Sequence, residues 1–399
     1  MTKYDLVLYG ATGFTGKLVA NYLASHPSGG HFSWAIAGRN PKKLNEFRAS
    51  LSGRGDGPGV VVAEASDAAS VSSMVTDTRV VITTAGPYSE YHGDTLVECC
   101  ARAGTNYADL SGEYWFQRRM IDEFHAEAQR TGTKIVVAAG VDSIPSDLGT
   151  QLAMERLEEG GARATQVKAL FTDYAGSFSG GTARTLAAGR NLKKSGDYDD
   201  AFHEDPYVLA PEANVRGSGE SIRGWDHLRF DRDFKRFGGP FFMAAINARI
   251  VRRSLALNRL LPCSYEEGIS LGAWLKSGWL WMSRGFGYFV GAPIRFRPKR
   301  GEGPPPWLQR AGKFRVLIRA RSESGAESVV VEVKGRGDPG YGATSKMFAE
   351  VGLCLALDRE KLPTQGGVLT PATALGAALR ERLSLAEGGA FMQFRVINQ

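Results

Sequence analysis

Cysteine is scarce in this 399-residue chain: Cys99, Cys100, Cys263 and Cys354 are the only four, with no C-x-x-C pair. That excludes a disulfide framework and a zinc ribbon, and it fits a reducing compartment. Histidine is thin as well. Six residues (26, 31, 92, 125, 203, 227) are scattered without a His-Glu-x-x-His pair, which removes the metalloprotease signature. No Tyr-x-x-x-Lys pair occurs, so the usual proton relay of short-chain dehydrogenases is missing. Charges interrupt every long apolar run before it reaches the ~20 residues of a membrane-spanning helix. The opening residues Met1-Thr2-Lys3-Tyr4-Asp5 lead straight into a strand-like stretch, with no signal or transit pattern, so the expected location is cytoplasmic. With 43% hydrophobic, 10% aromatic and 23% charged residues, a disordered tail, a coiled coil and a fibrous repeat are all excluded. The length calls for two domains, or for one large domain with an insertion.

What is present begins with a strand, a glycine turn and a helix. Asp5 to Gly16 reads D-L-V-L-Y-G-A-T-G-F-T-G, and a helical pattern follows from Lys17 to Leu23. Gly10, Gly13 and Gly16 leave backbone N–H groups to face a pyrophosphate at the positive end of that helix, with Thr12 and Phe14 along the turn. A second strand, Ser33 to Ala37, ends at Gly38-Arg39-Asn40, where an NAD-preferring fold places an acid on the ribose. Arg39 stands there instead and points to NADP(H), since a guanidinium suits a 2′-phosphate. The competing reading is a solvated arginine opening the next helix. Further strands are expected at Gly59–Glu64, with Asp67 behind it, and at Val80–Ala85, Asn106–Asp109 and Lys134–Ala139. Together these make a doubly wound parallel sheet over residues 1–150, an α/β architecture of the Rossmann type.

Ligands of such sheets bind beyond the carboxyl ends of the strands, so the loops there matter most. Ala85-Gly86-Pro87 lets backbone approach a ribose. Tyr88 either covers the nicotinamide and meets substrate or is simply a packed tyrosine. In Gly140-Val-Asp-Ser-Ile-Pro-Ser-Asp147, two carboxylates and two hydroxyls cluster around one proline. Ser143 or Ser146 caps the next helix, and the stretch equally reads as the edge of an active site, with Asp142 and Ser143 at the nicotinamide. His92 is the one histidine near these loops, against a cap or surface role.

Residues 151–399 read as an α+β domain for substrate binding or dimerisation. Strands are expected at Val167–Tyr174, Lys313–Ser322, Glu327–Gly335 and Ala390–Val396, with helices at Gly181–Lys194, Tyr341–Leu357 and Ala372–Leu383. Between Pro240 and Arg300, ten Arg/Lys face only Glu266 and Glu267, while the rest of the chain is near neutral. The same insert, about 240–297, holds Phe241, Phe242, Trp274, Trp279, Trp281, Phe286 and Tyr288. An aromatic segment fringed with cations belongs against the protein's own core, a dimer partner, a lipid surface or the hydrocarbon of a substrate. Its charge is not that of a nucleic-acid partner.

Together, Gly10-Ala-Thr-Gly-Phe-Thr-Gly16, Ala37-Gly-Arg39, Ala85-Gly-Pro-Tyr88, Tyr107-Ala-Asp-Leu-Ser-Gly-Glu113 and Gly140 to Asp147 resemble the saccharopine dehydrogenase-like oxidoreductases. Arg249-Ile-Val-Arg-Arg-Ser254, Gly340-Tyr-Gly-Ala-Thr-Ser345 and Thr370-Pro-Ala-Thr-Ala-Leu-Gly376 extend the likeness over most of the chain, closest to the trans-acting enoyl reductase branch of mycobacteria. The resemblance implies a Rossmann domain followed by an α+β domain whose last helices return toward the first. It also implies NADPH-dependent reduction of a carbon–carbon double bond in a lipophilic acyl, polyketide or lipid-linked substrate. The saccharopine reductases carry Asp-Pro-Gly beside the nicotinamide where this chain has Asp142-Ser-Ile-Pro145. Tyr88, Asp142 and Ser143 are the residues expected at the reacting end. Two rivals stay open: a catalytically weak NADP(H)-binding protein of a lipid or membrane surface, and an amino-acid-adduct reductase.

Overall fold

The computed structural model describes residues 2–52, 57–175, 198–211, 224–276 and 306–397. Within it the chain forms two units, passing between them after Gly140, Ala343 and Leu379.

The first unit is a parallel sheet. Strands β1 (Leu6–Tyr9), β2 (Trp34–Gly38), β3 (Gly59–Val62), β4 (Val80–Thr83), β5 (Asn106–Asp109) and β6 (Lys134–Val136) lie in the order 3-2-1-4-5-6. A seventh strand, Gly367–Leu369, pairs in parallel with β6. Helices α1 (Phe14–Ser25), α2 (Pro41–Ser50), α3 (Ala68–Thr76), α4 (Gly93–Ala103) and α5 (Tyr114–Thr131) connect the first six. β1 and β4 are short, apolar and buried on both faces, as strands inside a doubly wound sheet must be. β1 pairs with both β2 and β4, so the strand order reverses at β1 and opens a crevice beyond its carboxyl end. The helix Gly342–Leu357 lays Gly352 against Leu6 and Ile82, and its Glu350 accepts hydrogen bonds from Tyr22 Oη (2.6 Å) and His26 Nε2 (3.1 Å).

The second unit holds a mixed sheet. Strands β7 (Ala164–Ala175), β8 (Arg229–Asp231), β9 (Arg236–Gly239), β10 (Ser264–Ser270), β11 (Lys313–Ser322) and β12 (Ser328–Arg336) join the terminal strand Met392–Ile397. From that strand the order runs 12-11-7-10-9-8, with β7 and β10 parallel and all other pairs antiparallel. Helix α6 (Ile144–Glu159) crosses β11 and β12 on one face, and on the other Leu170, Trp225, Phe234 and Leu317 form a small core.

The expected elements are present with altered ends. β6 stops at Val136, β7 starts three residues earlier than anticipated, and the closing helix runs from Pro371 to Gly389. The helix expected at 181–194 and the aromatic stretch from Trp279 onward lie outside the described residues.

Three cations of the basic insert are taken up by the protein's own interior. Arg249, Arg252 and Arg253 are at most 3% exposed on the helix Ala244–Leu257. Their guanidinium groups donate to the carbonyls of His203 (2.6 Å), Tyr265 (2.9 Å) and Leu209 (2.5 Å) respectively. These three are interior charges tying loop and strand to helix. Among the described residues, no helix is long and apolar enough to cross a membrane.

Candidate active site

The glycine turn has the form a dinucleotide requires. Gly10 adopts φ +78°, and a Cβ on Gly16 would sit 2.3 Å from the Gly10 carbonyl oxygen, so neither position accepts a side chain without moving the turn. α1 starts at Phe14 after an extended Gly13, with no side-chain cap and no acid in its first turn. An uncapped helix end presents backbone donors and a partial positive charge, the arrangement that receives a pyrophosphate. Thr12 and Phe14 are half-buried along this turn. Ala85 backs onto it, its N and Cβ being the first atoms that a Cβ on Gly10 would meet, and Thr84 Oγ1 donates to the Gly10 carbonyl at 3.2 Å. The structure thus brings Gly10, Gly13, Gly16 and Ala85 together at the crevice.

Arg39 follows β2, exposed and without a carboxylate partner among the described residues. The helix start beside it is capped by Asn40, whose Oδ1 accepts the Lys43 N–H at 2.9 Å. The guanidinium is therefore not used in local structure. Asp67 caps α3 through the Ala69 N–H (3.0 Å), which gives its carboxylate a structural task. Gly86 is exposed and Pro87 buried in the loop after β4. His92 is the exposed residue before α4, with φ +55° and no side-chain cap bond.

Tyr88 is 5% exposed and held at every polar atom. Its Oη donates to the Thr83 carbonyl (3.1 Å) and accepts the Leu110 N–H (3.0 Å), while its own N–H goes to Glu113 Oε1 (2.8 Å). That geometry makes the ring a pin between the ends of β4 and β5, with its hydroxyl proton committed. Glu113 also receives the Ser89 N–H at 3.1 Å, so one buried carboxylate fixes the whole loop after β4. Asp109, fully buried at the end of β5, accepts from Ser111 N–H (2.9 Å), Ala138 N–H (3.2 Å) and Tyr107 Oη (3.1 Å). Burial outweighs those three bonds and pushes its carboxyl up to about 7. In the sequence, Asp109 and Glu113 stand inside a motif that assigns neither of them a role. The signal for them is two acids flanking Ser-Gly directly after a strand.

Asp142 and Ser143 belong to the second unit, at the head of α6. Ser143 precedes the helix but makes no side-chain cap bond, and its buried Oγ has no partner. Asp142 is half-buried, and desolvation pushes its carboxyl up to about 6. One turn on, Ser146 Oγ donates to Glu267 Oε2 at 2.7 Å, as does Tyr265 Oη at 2.7 Å, and Asn247 Nδ2 donates to Oε1 at 2.6 Å. Glu267, counted from sequence as one of two acids against ten Arg/Lys in the insert, is completely buried, and burial raises its pKa.

Gly268-Ile-Ser270-Leu-Gly272 has the G-x-S-x-G spacing of a hydrolase nucleophile turn and does stand where β10 meets helical residues 271–276. Ser270 is 5% exposed and its Oγ accepts the Ala273 N–H at 3.2 Å. It is a helix cap, with no histidine bonded to it among the described residues.

Comparison with known proteins agrees with this geometry. A family model for the saccharopine dehydrogenase NADP-binding domain matches residues 6–136. Trans-acting enoyl reductases of Mycobacterium ulcerans and Mycobacterium tuberculosis are 34% and 36% identical to the chain, each alignment covering 96% of both proteins. Apo saccharopine dehydrogenase (L-Glu forming) from Saccharomyces cerevisiae superposes with a TM-score of 0.54 at 11% identity, covering 99% of this chain and 100% of that one, a likeness of fold. The chain belongs to the saccharopine dehydrogenase-like oxidoreductases, among the trans-acting enoyl reductases.

Proposed function

We propose that the protein is an NADP(H)-dependent oxidoreductase that reduces a carbon–carbon double bond in a lipophilic acyl, polyketide or lipid-linked substrate. The observation that carries this reading is the side-chain-free cradle of Gly10 and Gly16 at an uncapped helix, in a chain akin to enoyl reductases over nearly its whole length. The cofactor, when bound, supplies the hydride. Gly10, Gly13 and Gly16 would hold its pyrophosphate, Arg39 its 2′-phosphate, and the Ala85-Gly86-Pro87 loop its ribose. Glu113 keeps that loop in place through Tyr88 and Ser89. Exposed Phe242, Trp274 and Leu275 in the second unit supply apolar surface of the kind an acyl chain covers, which supports a lipophilic substrate.

Arg39→Glu tests the cofactor half. A charge-assisted bond of ~1.5–3 kcal/mol predicts that the change weakens NADPH binding roughly ten- to hundredfold while NADH binding holds or improves. Titration calorimetry with both nucleotides reads this directly. Unchanged discrimination between them would remove Arg39 from the cofactor site.

A further inference from the structure

The first unit has a second opening, at the other end of its sheet. The glycine turn and Arg39 stand beyond the carboxyl ends of the strands, where a doubly wound sheet takes its nucleotide. At the amino ends, Arg79 precedes β4, Asn106 opens β5 and Lys134 opens β6. With the end of the helix Gly342–Leu357 and the short turn Arg359–Lys361, these residues line a cavity of about 670 Å³. A space of that size suits a small organic molecule, and the cofactor leaves it unassigned.

Its wall carries donors that the fold leaves short of acceptors. Lys134 is 7% exposed, so its ammonium is largely withdrawn from bulk water. That ammonium donates to the Gln365 carbonyl at 2.9 Å and forms no ion pair among the described residues. A buried charge without a counterion is costly, and desolvation accordingly pushes this group below its usual range with no carboxylate acting the other way. Asn106 spends its Oδ1 on the Lys134 N–H (2.9 Å), which leaves its Nδ2 without an acceptor among the described residues. The guanidinium of exposed Arg359 makes no hydrogen bond or ion pair among them either. Arg79 is used in part, its Nη1 pairing with Asp5 at 3.0 Å and its Nε donating to Thr2 Oγ1 at 3.1 Å. The carbonyls ending α5 are engaged as well, Ala128 and Gln129 accepting the Thr133 and Gly132 N–H groups. With Lys361, four cations line the space against two carboxylates, Asp358 and Glu360.

The same cavity has an apolar side, made by Leu357, Leu362 and Pro363. We propose that it binds an organic phosphate of about nucleoside monophosphate size, the phosphate on Lys134, Asn106 and Arg359 and the ring portion against Leu357, Leu362 and Pro363. An ammonium, an amide and a guanidinium sharing one space call for an anion with several acceptor atoms. A phosphate monoester brings three such oxygens and close to two charges, and its bonds to cations are of the strong, charge-assisted kind. Glu360, on the exposed turn, is an acceptor for hydroxyl groups of the ligand. The site lies at the opposite strand ends from the glycine turn, and it does not rest on the enoyl reductase reading.

The full-length protein is first saturated with NADPH, so that the glycine turn is filled, and is then titrated calorimetrically with AMP, adenosine and inorganic phosphate. We expect AMP to bind, with adenosine and inorganic phosphate each about tenfold weaker or more. Lys134→Met keeps the buried stem and removes the charge, while Arg359→Glu changes an exposed side chain. Either should weaken AMP roughly ten- to hundredfold and leave NADPH binding as in the parent. Thermal melts separate this from a purely structural role for Lys134: AMP should raise the Tm of the parent and not that of Lys134→Met. No AMP binding to the NADPH-saturated parent overturns the proposal. So does AMP binding that either variant leaves unchanged, and so does adenosine or inorganic phosphate bound as tightly as AMP.

Discussion

Asp109 is a carboxyl whose proton the fold retains. Its folded value of about 7 lies above the ordinary 3.8 of an aspartate, so between about pH 4 and 7 the native protein binds a proton that the unfolded chain has released. The stability this group contributes is fully present below the unfolded value and is lost as pH rises through the folded one, with each unit worth about 1.4 kcal/mol as an upper bound. Asp109→Asn keeps the oxygen that accepts the Ser111 and Ala138 N–H groups but cannot ionise. Thermal melts between pH 5 and 8 should show Tm falling with pH in the parent and falling less in the variant. Parallel curves would mean that Asp109 ionises freely in the native state. Asp142, raised in the same sense to about 6, and Glu267, raised by burial, add to the slope that the variant keeps. None of this was legible from residue type. The motif Tyr107 to Glu113 located the carboxyls, but depth of burial is a tertiary quantity, and the same holds for the buried guanidinium groups of Arg249, Arg252 and Arg253.

At the scale of elements, the first unit was readable because its strands are short apolar runs ending in Gly, Thr or Asp and followed by helical periodicity. The glycine spacing Gly10, Gly13 and Gly16 located the turn for a steric reason that the structure makes explicit. A Cβ on Gly16 would meet the Gly10 oxygen at 2.3 Å and the Ala11 Cα at 2.8 Å, both backbone atoms that cannot swing away. Gly16→Ala should therefore push α1 off the turn, costing about 1–3 kcal/mol in urea melts as overpacking does, and should abolish measurable NADPH binding. A variant that binds NADPH like the parent would show that the turn is not the pyrophosphate seat. Two elements escaped the sequence for opposite reasons. Gly367-Val-Leu369 is too short for any periodic signal, and it gains its place from β6 and from the His125 Nδ1 that accepts the Val368 N–H at 3.0 Å. The bulge in β7, where Phe171 pairs with Val316 and Asp173 with Arg315 of β11, is invisible because alternation by twos assigns Tyr174 to the wrong face once Thr172 is inserted.

For the whole chain, order in sequence is not order in space. The first unit takes residues 344–379 from far along the chain, and those residues close it. The helix Gly342–Leu357 covers Leu6 and Ile82 through Gly352, Glu350 gathers Tyr22 and His26, and Lys134 Nζ donates to the Gln365 carbonyl at 2.9 Å. Leu6, Leu8, Val81 and Ile82 have no exposure in the intact protein. A fragment ending at Gly140 keeps the glycine turn and Arg39 but loses the cover for one face of its sheet and the strand paired with β6. At ~25 cal/mol per Å² of apolar surface left wet, a few uncovered side chains suffice to cancel the marginal stability of a domain this size. The expected outcome is that residues 1–140 alone bind a hydrophobic dye, melt without a cooperative transition and fail to retain NADPH. The same fragment joined by a flexible linker to residues 344–379 should regain both the transition and the nucleotide. Cooperative melting of 1–140 by itself would show that the returning segment decorates a unit already complete, and would place the source of its stability within the first six strands.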